Sequence, residues 1–152
     1  MFLGEQALTL DEKGRLVLPS KFRTFVTDVE DLKGFVIVAD PRGVDRCLRL
    51  YTRSGWSGQY AQIKAAAGKS EDAVRFLRIY AAHYEFAPMD SQSRFVVPQK
   101  LVDYAGLGRE VVMVGMNDWI EIWDRGELKA QSEGSKEKFL PLIGEALKPK
   151  LD

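Results

Sequence analysis

Residues 11–22 read DEKGRLVLPSKF and residues 90–101 read DSQSRFVVPQKL, so one phrase is written twice at an offset of 79 residues. Five positions are identical: Asp11 with Asp90, Arg15 with Arg94, Val17 with Val96, Pro19 with Pro98 and Lys21 with Lys100. The remaining apolar positions stay apolar. The likeness continues downstream, where Phe35-Val36-Ile37-Val38 answers Val111-Val112-Met113-Val114 and Cys47-Leu48-Arg49-Leu50-Tyr51 answers Trp119-Ile120-Glu121-Ile122-Trp123. An internal repeat constrains the fold more than any local signal, because both copies must bury the same face. Each copy predicts an Asp-led turn, a strand ending at proline, a short helical or loop segment, an apolar strand and an alternating strand. Branched and aromatic residues in short runs favour strands, and proline cannot donate to a ladder. Neither copy alone would bury much surface, so the expectation is one barrel built from two interlocked halves.

Helices are expected between the halves. Ser54 can cap one that carries Trp56, Tyr60, Ile63 and Ala67 on one face, with Gly68 as its stop. Ser70 can cap a second, with Ala73, Leu77, Tyr80 and Ala81 as its stripe and Arg75 and Arg78 facing away. Asp124 through Glu127 has the spacing of a capping box. Beyond it Pro141 and Pro149 interrupt a charged stretch, which predicts a short helix at most. The expected organisation is a first half over 1–53, connecting helices over 54–84, a second half over 85–127 and a C-terminal tail over 128–152. The fold class is α+β, mostly β.

Charge narrows the function classes. Lys and Arg number 22, as do Asp and Glu, so the chain cannot hold nucleic acid by bulk positive charge. Such binding would need a local patch or many copies acting together. The first repeat is the more basic, with Lys13, Arg15, Lys21 and Arg23 against Asp11 and Glu12. Gly14 can take positive φ and lets backbone approach a ligand. Arginine suits guanine edges and phosphates through its planar fork, and lysine suits phosphate as a point charge. Asp11 and Asp90 are suited to hold their turns through amide hydrogen bonds. An Asp–Arg pair at this spacing reads equally as a staple of the turn, and the repeat alone does not separate folding from binding.

Catalysis finds little support. The chain has one histidine, His83, and one cysteine, Cys47. No disulfide and no His- or Cys-based zinc cage can form within it, and no glycine-rich phosphate loop follows a strand. Cys47 reads as a small core residue. No cofactor, no metal and no small-molecule substrate are expected. The N-terminus lacks a secretory pattern and no run suggests a membrane span, which predicts a cytoplasmic protein.

The motifs together resemble the MraZ family of bacterial transcriptional regulators, in the SpoVT–AbrB superfamily. The resemblance rests on Met1-Phe2-x-Gly4-Glu5, on Leu10-Asp11-x-Lys13-Gly14-Arg15-Leu16 followed by Pro19 and Arg23, and on Met89-Asp90-x-x-x-Arg94. It continues through Ala105-Gly106-Leu107, Glu110-Val111-Val112, Val114-Gly115 and Glu121-Ile122-Trp123-Asp124. It implies a pseudo-two-fold swapped-hairpin (AbrB-like) barrel and assembly of the chain into a homo-oligomeric ring. It also implies binding to double-stranded DNA at G-rich direct repeats upstream of its own operon, in the division and cell-wall gene cluster, with a nucleoid-associated role mainly as repressor. Lys13, Gly14, Arg15, Lys21, Arg23 and Arg94 are the implied DNA-binding residues. Ser93 stands where the family's second motif usually has glycine, and Gln92 where the first has lysine, which assigns Asp90 and Arg94 mainly to bracing the barrel. Trp56, Tyr60 and Leu77 are the candidates for contact between copies. The rival readings are a non-enzymatic scaffold and an AbrB-like antitoxin.

Overall fold

The computed structural model of the chain describes residues 1–40 and 44–149. In the first copy of the repeat, strand β1 (Glu5–Thr9) turns into β2 (Arg15–Val17), then helix α1 (Ser20–Arg23), β3 (Gly34–Ala39), β4 (Leu48–Thr52) and helix α2 (Arg53–Ala67). Helix α3 (Glu71–Ala81) follows and has no counterpart. The second copy then runs β5 (Tyr84–Pro88), β6 (Arg94–Val96), α4 (Gln99–Ala105), β7 (Glu110–Gly115), β8 (Ile120–Asp124) and α5 (Arg125–Ala146). The class is mixed α+β.

Six strands form one antiparallel sheet in the order β1-β7-β8-β4-β3-β5, and β2 pairs with β6 in a separate ribbon. The copies exchange strands: β1 pairs with β7, and β5 pairs with β3. The registers obey the repeat. Glu5 faces Val114 as Tyr84 faces Val38, and Leu16 faces Phe95 at the centre of the ribbon. The ladder nevertheless stays open among the described residues, with β1 and β5 as its edges. The barrel expected from the repeat therefore does not close as a continuous ladder. The reason is the brevity of β2 and β6, three residues each, which pair only with one another. Side chains close the core instead. Leu16, Leu18, Phe95 and Val97 from the ribbon strands and the residues after them join Phe22, Leu101 and Ala105 from α1 and α4. They pack against Phe35, Ile37, Leu48, Leu50, Val111, Met113, Ile120 and Ile122 on the inner sheet face.

A second, smaller core covers the outer face of β3 and β4, which explains why every residue of β3 is buried. Trp56 of α2 sits among Tyr51, Tyr80 and Tyr84 with ring centroids 4.9–6.1 Å apart. The face expected for α2 is the one it buries. Its cap is not the expected one: the Thr52 hydroxyl accepts from the Gly55 N–H at 3.0 Å, while Ser54 gives both its N–H and its hydroxyl to buried Asp31. Ser70 does cap α3, and Asp124 caps α5 by accepting from Gly126 and Glu127.

The C-terminal stretch departs most from expectation, since α5 runs for 22 residues straight through Pro141. Sixteen helical residues precede that proline. The helix is thus already nucleated, and the Glu137 carbonyl left without an amide partner faces water. Pro149 follows the helix end. No helix among the described residues is long and apolar enough to cross a membrane.

Candidate nucleic-acid interface

Both Asp-led turns are built alike, bond for bond. Asp11 Oδ1 accepts the N–H of Lys13 at 2.9 Å and of Arg15 at 2.8 Å, and its Oδ2 accepts Arg15 Nε–H at 2.7 Å. Asp90 Oδ1 accepts the N–H of Gln92 at 2.8 Å and of Arg94 at 2.9 Å, and its Oδ2 accepts Arg94 Nε–H at 2.9 Å. The N–H of Gly14 and of Ser93 closes each turn on its aspartate carbonyl at 3.0 Å. Both carboxyls are held below the usual aspartate range, chiefly by the backbone N–H of Arg15 and of Arg94 and with help from the guanidinium groups. Each turn also steadies the other's strand: the Leu18 N–H donates to the Ser93 carbonyl and the Val97 N–H to the Gly14 carbonyl, both at 2.8 Å.

The fourth turn position requires a left-handed backbone. Gly14 has φ 74° and Ser93 has φ 60°. A Cβ on Gly14 would stand 3.2 Å from the Val97 carbonyl oxygen. Serine occupies the costlier conformation with a compensating bond, because its buried hydroxyl accepts from Arg23 Nη1. Arg23, a candidate of the first copy, is thereby held at the second turn.

The β2–β6 ribbon brings Arg15 and Arg94 onto one outward face, Arg15 opposite Val96 and Arg94 opposite Val17. Each arginine is bound through Nε by its own aspartate, so the outer guanidinium edges stay available for a ligand. Lys13 is exposed at the tip of the first turn and makes no side-chain ion pair among the described residues. Lys21 lies elsewhere: its ammonium donates to the Glu5 carbonyl and rests 5.6 Å from the Phe22 ring centroid. Its counterpart Lys100 pairs with Glu85 at 2.7 Å. One cation escaped the sequence reading. Arg109 lines the groove beside Lys13 and Arg15, and its carbonyl accepts the Leu10 N–H. It lies outside the repeated phrase, and only the pairing of β1 with β7 carries it to the first turn.

The other chemistry-bearing residues lie apart from this face. Cys47 is buried, and burial pushes its thiol up to about 12. His83 Nδ1 sits 2.8 Å from the Ile79 carbonyl. No group of three or more His, Cys, Asp or Glu among the described residues could hold a metal ion.

Comparison with known proteins points the same way as the motifs. The family described as "MraZ protein, putative antitoxin-like" matches residues 1–79 and 81–140. A protein of Clavibacter michiganensis named Transcriptional regulator MraZ is 36% identical over 126 residues, covering 83% of this chain and 82% of its own. One of the same name from Thermomicrobium roseum is 35% identical over 133 residues, covering 88% of each. On the length of these matches, the chain belongs to the MraZ family.

Proposed function

We propose that the chain is a sequence-specific DNA-binding transcriptional regulator, acting mainly as a repressor at G-rich direct repeats upstream of its own operon. The relatives' name, transcriptional regulator, supports the regulatory role. The observation that carries the DNA reading is the ribbon face, where two aspartate-braced arginines stand on adjacent strands with Lys13 beside them. A two-stranded ribbon fits the major groove, and a guanidinium fixed at Nε still offers two Nη groups to a guanine edge or a phosphate. Lys13, Gly14 and Arg15 form the first contact set and Arg94 with Arg23 the second, Asp11 and Asp90 positioning Arg15 and Arg94. Lys21, bound to the Glu5 carbonyl, stands apart from both sets.

The exchange of first strands between the copies supports a swapped-hairpin organisation, with halves over 1–53 and 85–127, connecting helices over 54–84 and a tail from 128. One protomer of zero net charge would bind weakly, and a ring of copies on repeated sites can raise avidity about 10²–10⁴-fold. Self-assembly is supported by exposed Val74, Phe76 and Ile79 on α3 and by Phe139, Leu140 and Ile143 on α5. Trp56 and Tyr60 belong to the smaller core, and Leu77 is half-buried. A cytoplasmic, nucleoid-associated protein would work this way. The test is a gel shift with the DNA upstream of the chain's own gene. Arg15→Ala is expected to abolish the shift while oligomer size by light scattering stays unchanged, and a wild-type shift by the variant would refute the proposal.

A further inference from the structure

The ribbon face that carries the two arginines also carries two valines with no structural task. Leu16 and Phe95 point inward and are 1% exposed, whereas Val17 and Val96 on the opposite face are 48% and 52% exposed. Neither valine belongs to either hydrophobic core. The register sets them on a diagonal, Val17 beside Arg94 and Val96 beside Arg15. Both arginines are drawn back toward their own turns by the Nε bonds to Asp90 and Asp11, at opposite ends of the ribbon. The middle of the face is therefore apolar and its two ends are cationic.

We propose that Val17 and Val96 read sequence, by seating their methyl groups against thymine C5-methyl groups in the major groove while the arginines hold the DNA on either side. This rests on the DNA-binding reading and adds to it which residues discriminate. In the major groove the thymine methyl is the one apolar mark on a base edge, and small apolar side chains recognise it. Diagonal neighbours on paired strands stand roughly 7–8 Å apart, close to two base steps of about 3.4 Å, so one ribbon addresses methyl groups two steps apart. The valines occur in both repeats, whereas the lysine and glycine of the first turn are Gln92 and Ser93 in the second. The diagonal is thus symmetric even though the turns are not.

The experiment compares the upstream DNA fragment with the same fragment made with deoxyuridine in place of thymidine, which deletes the methyl groups alone. Affinities are read by fluorescence anisotropy for the wild type and for Val17→Ala/Val96→Ala. The wild type is expected to lose about fourfold per deleted methyl contact, or about 15-fold for two. The double variant should lose a similar factor on thymine DNA and nothing further on uracil DNA. If its melting temperature shows that it fails to fold, Val17→Ala and Val96→Ala singly carry the same comparison at about fourfold each. Equal wild-type affinity for the two DNAs overturns this inference alone, as does a full further loss by the variant on uracil DNA. A wild type that ignores the fragment, or an Arg15→Ala variant that binds it normally, overturns the DNA-binding reading and this inference with it.

Discussion

Asp11 and Asp90 each collect two backbone N–H groups and one guanidinium, and this makes the acid side of the pH scale informative. Both carboxyls have folded-state values below their ordinary one, with the backbone bond to Arg15 or Arg94 as the main cause. A depressed carboxyl stabilises the folded state fully above its unfolded value, about pH 4, and that contribution disappears as pH falls through the folded value. A carbon-13 titration of the side-chain carboxyls should find both midpoints below those of the unfolded chain. Midpoints at or above the ordinary aspartate value would mean that the turns are open in solution. At this scale the Asp-led turn with its amide bonds was legible in the sequence, whereas the spacing left open whether each arginine pairs with its aspartate or reaches outward. The bond from Arg23 to Ser93 was not legible, since its partners are 70 residues apart and only the interleaved strands bring them into reach.

Among the elements, α5 depends most on its first residues. It buries no residue of its own, so its stability rests on the Asp124 cap and on its contacts with β7 and β8. The same carboxylate also accepts the Gly108 N–H at 2.9 Å, tying the helix start to the loop before β7. Asp124→Ala should cost about 1–2 kcal/mol in urea unfolding, with helical circular dichroism falling before the aromatic signal of the core. Loss of both signals together at an unchanged midpoint would show that the cap is dispensable. Asp124 was readable as a cap from the capping-box spacing of Asp124 and Glu127. The length of α5 was not, because Pro141 looks like a stop when helix propensity is weighed residue by residue and an established helix is ignored. Thr52 was missed for a related reason: Ser54 has the right chemistry for a cap, but buried Asp31 engages it from another segment. The repeat predicted three strands of each copy in order, but not β1 and β5, which lie ahead of the repeated phrase. It could not foretell an open ladder, which follows from how few residues β2 and β6 contribute.

At the scale of the whole molecule, the pairing of β4 with β8 sets equivalent positions of the two copies against each other, and Arg49 faces Glu121 there. Arg49 Nε lies 4.0 Å from Glu121 Oε2 and its guanidinium stacks 4.9 Å from the Trp119 ring, while Glu121 accepts the indole N–H of both Trp119 and Trp123. Glu121→Arg should destabilise the fold by about 1–3 kcal/mol, because it opposes two cations and leaves two indole donors unpaired. The double exchange Arg49→Glu/Glu121→Arg should recover part of that loss in chemical denaturation, and no recovery would show that the charges do not interact. Two identical chains meeting across a dyad can set only like against like at such a point, Arg against Arg or Glu against Glu. Joining both copies in one polypeptide removes that restriction, and the price is fidelity: each half now requires a mate that differs from itself.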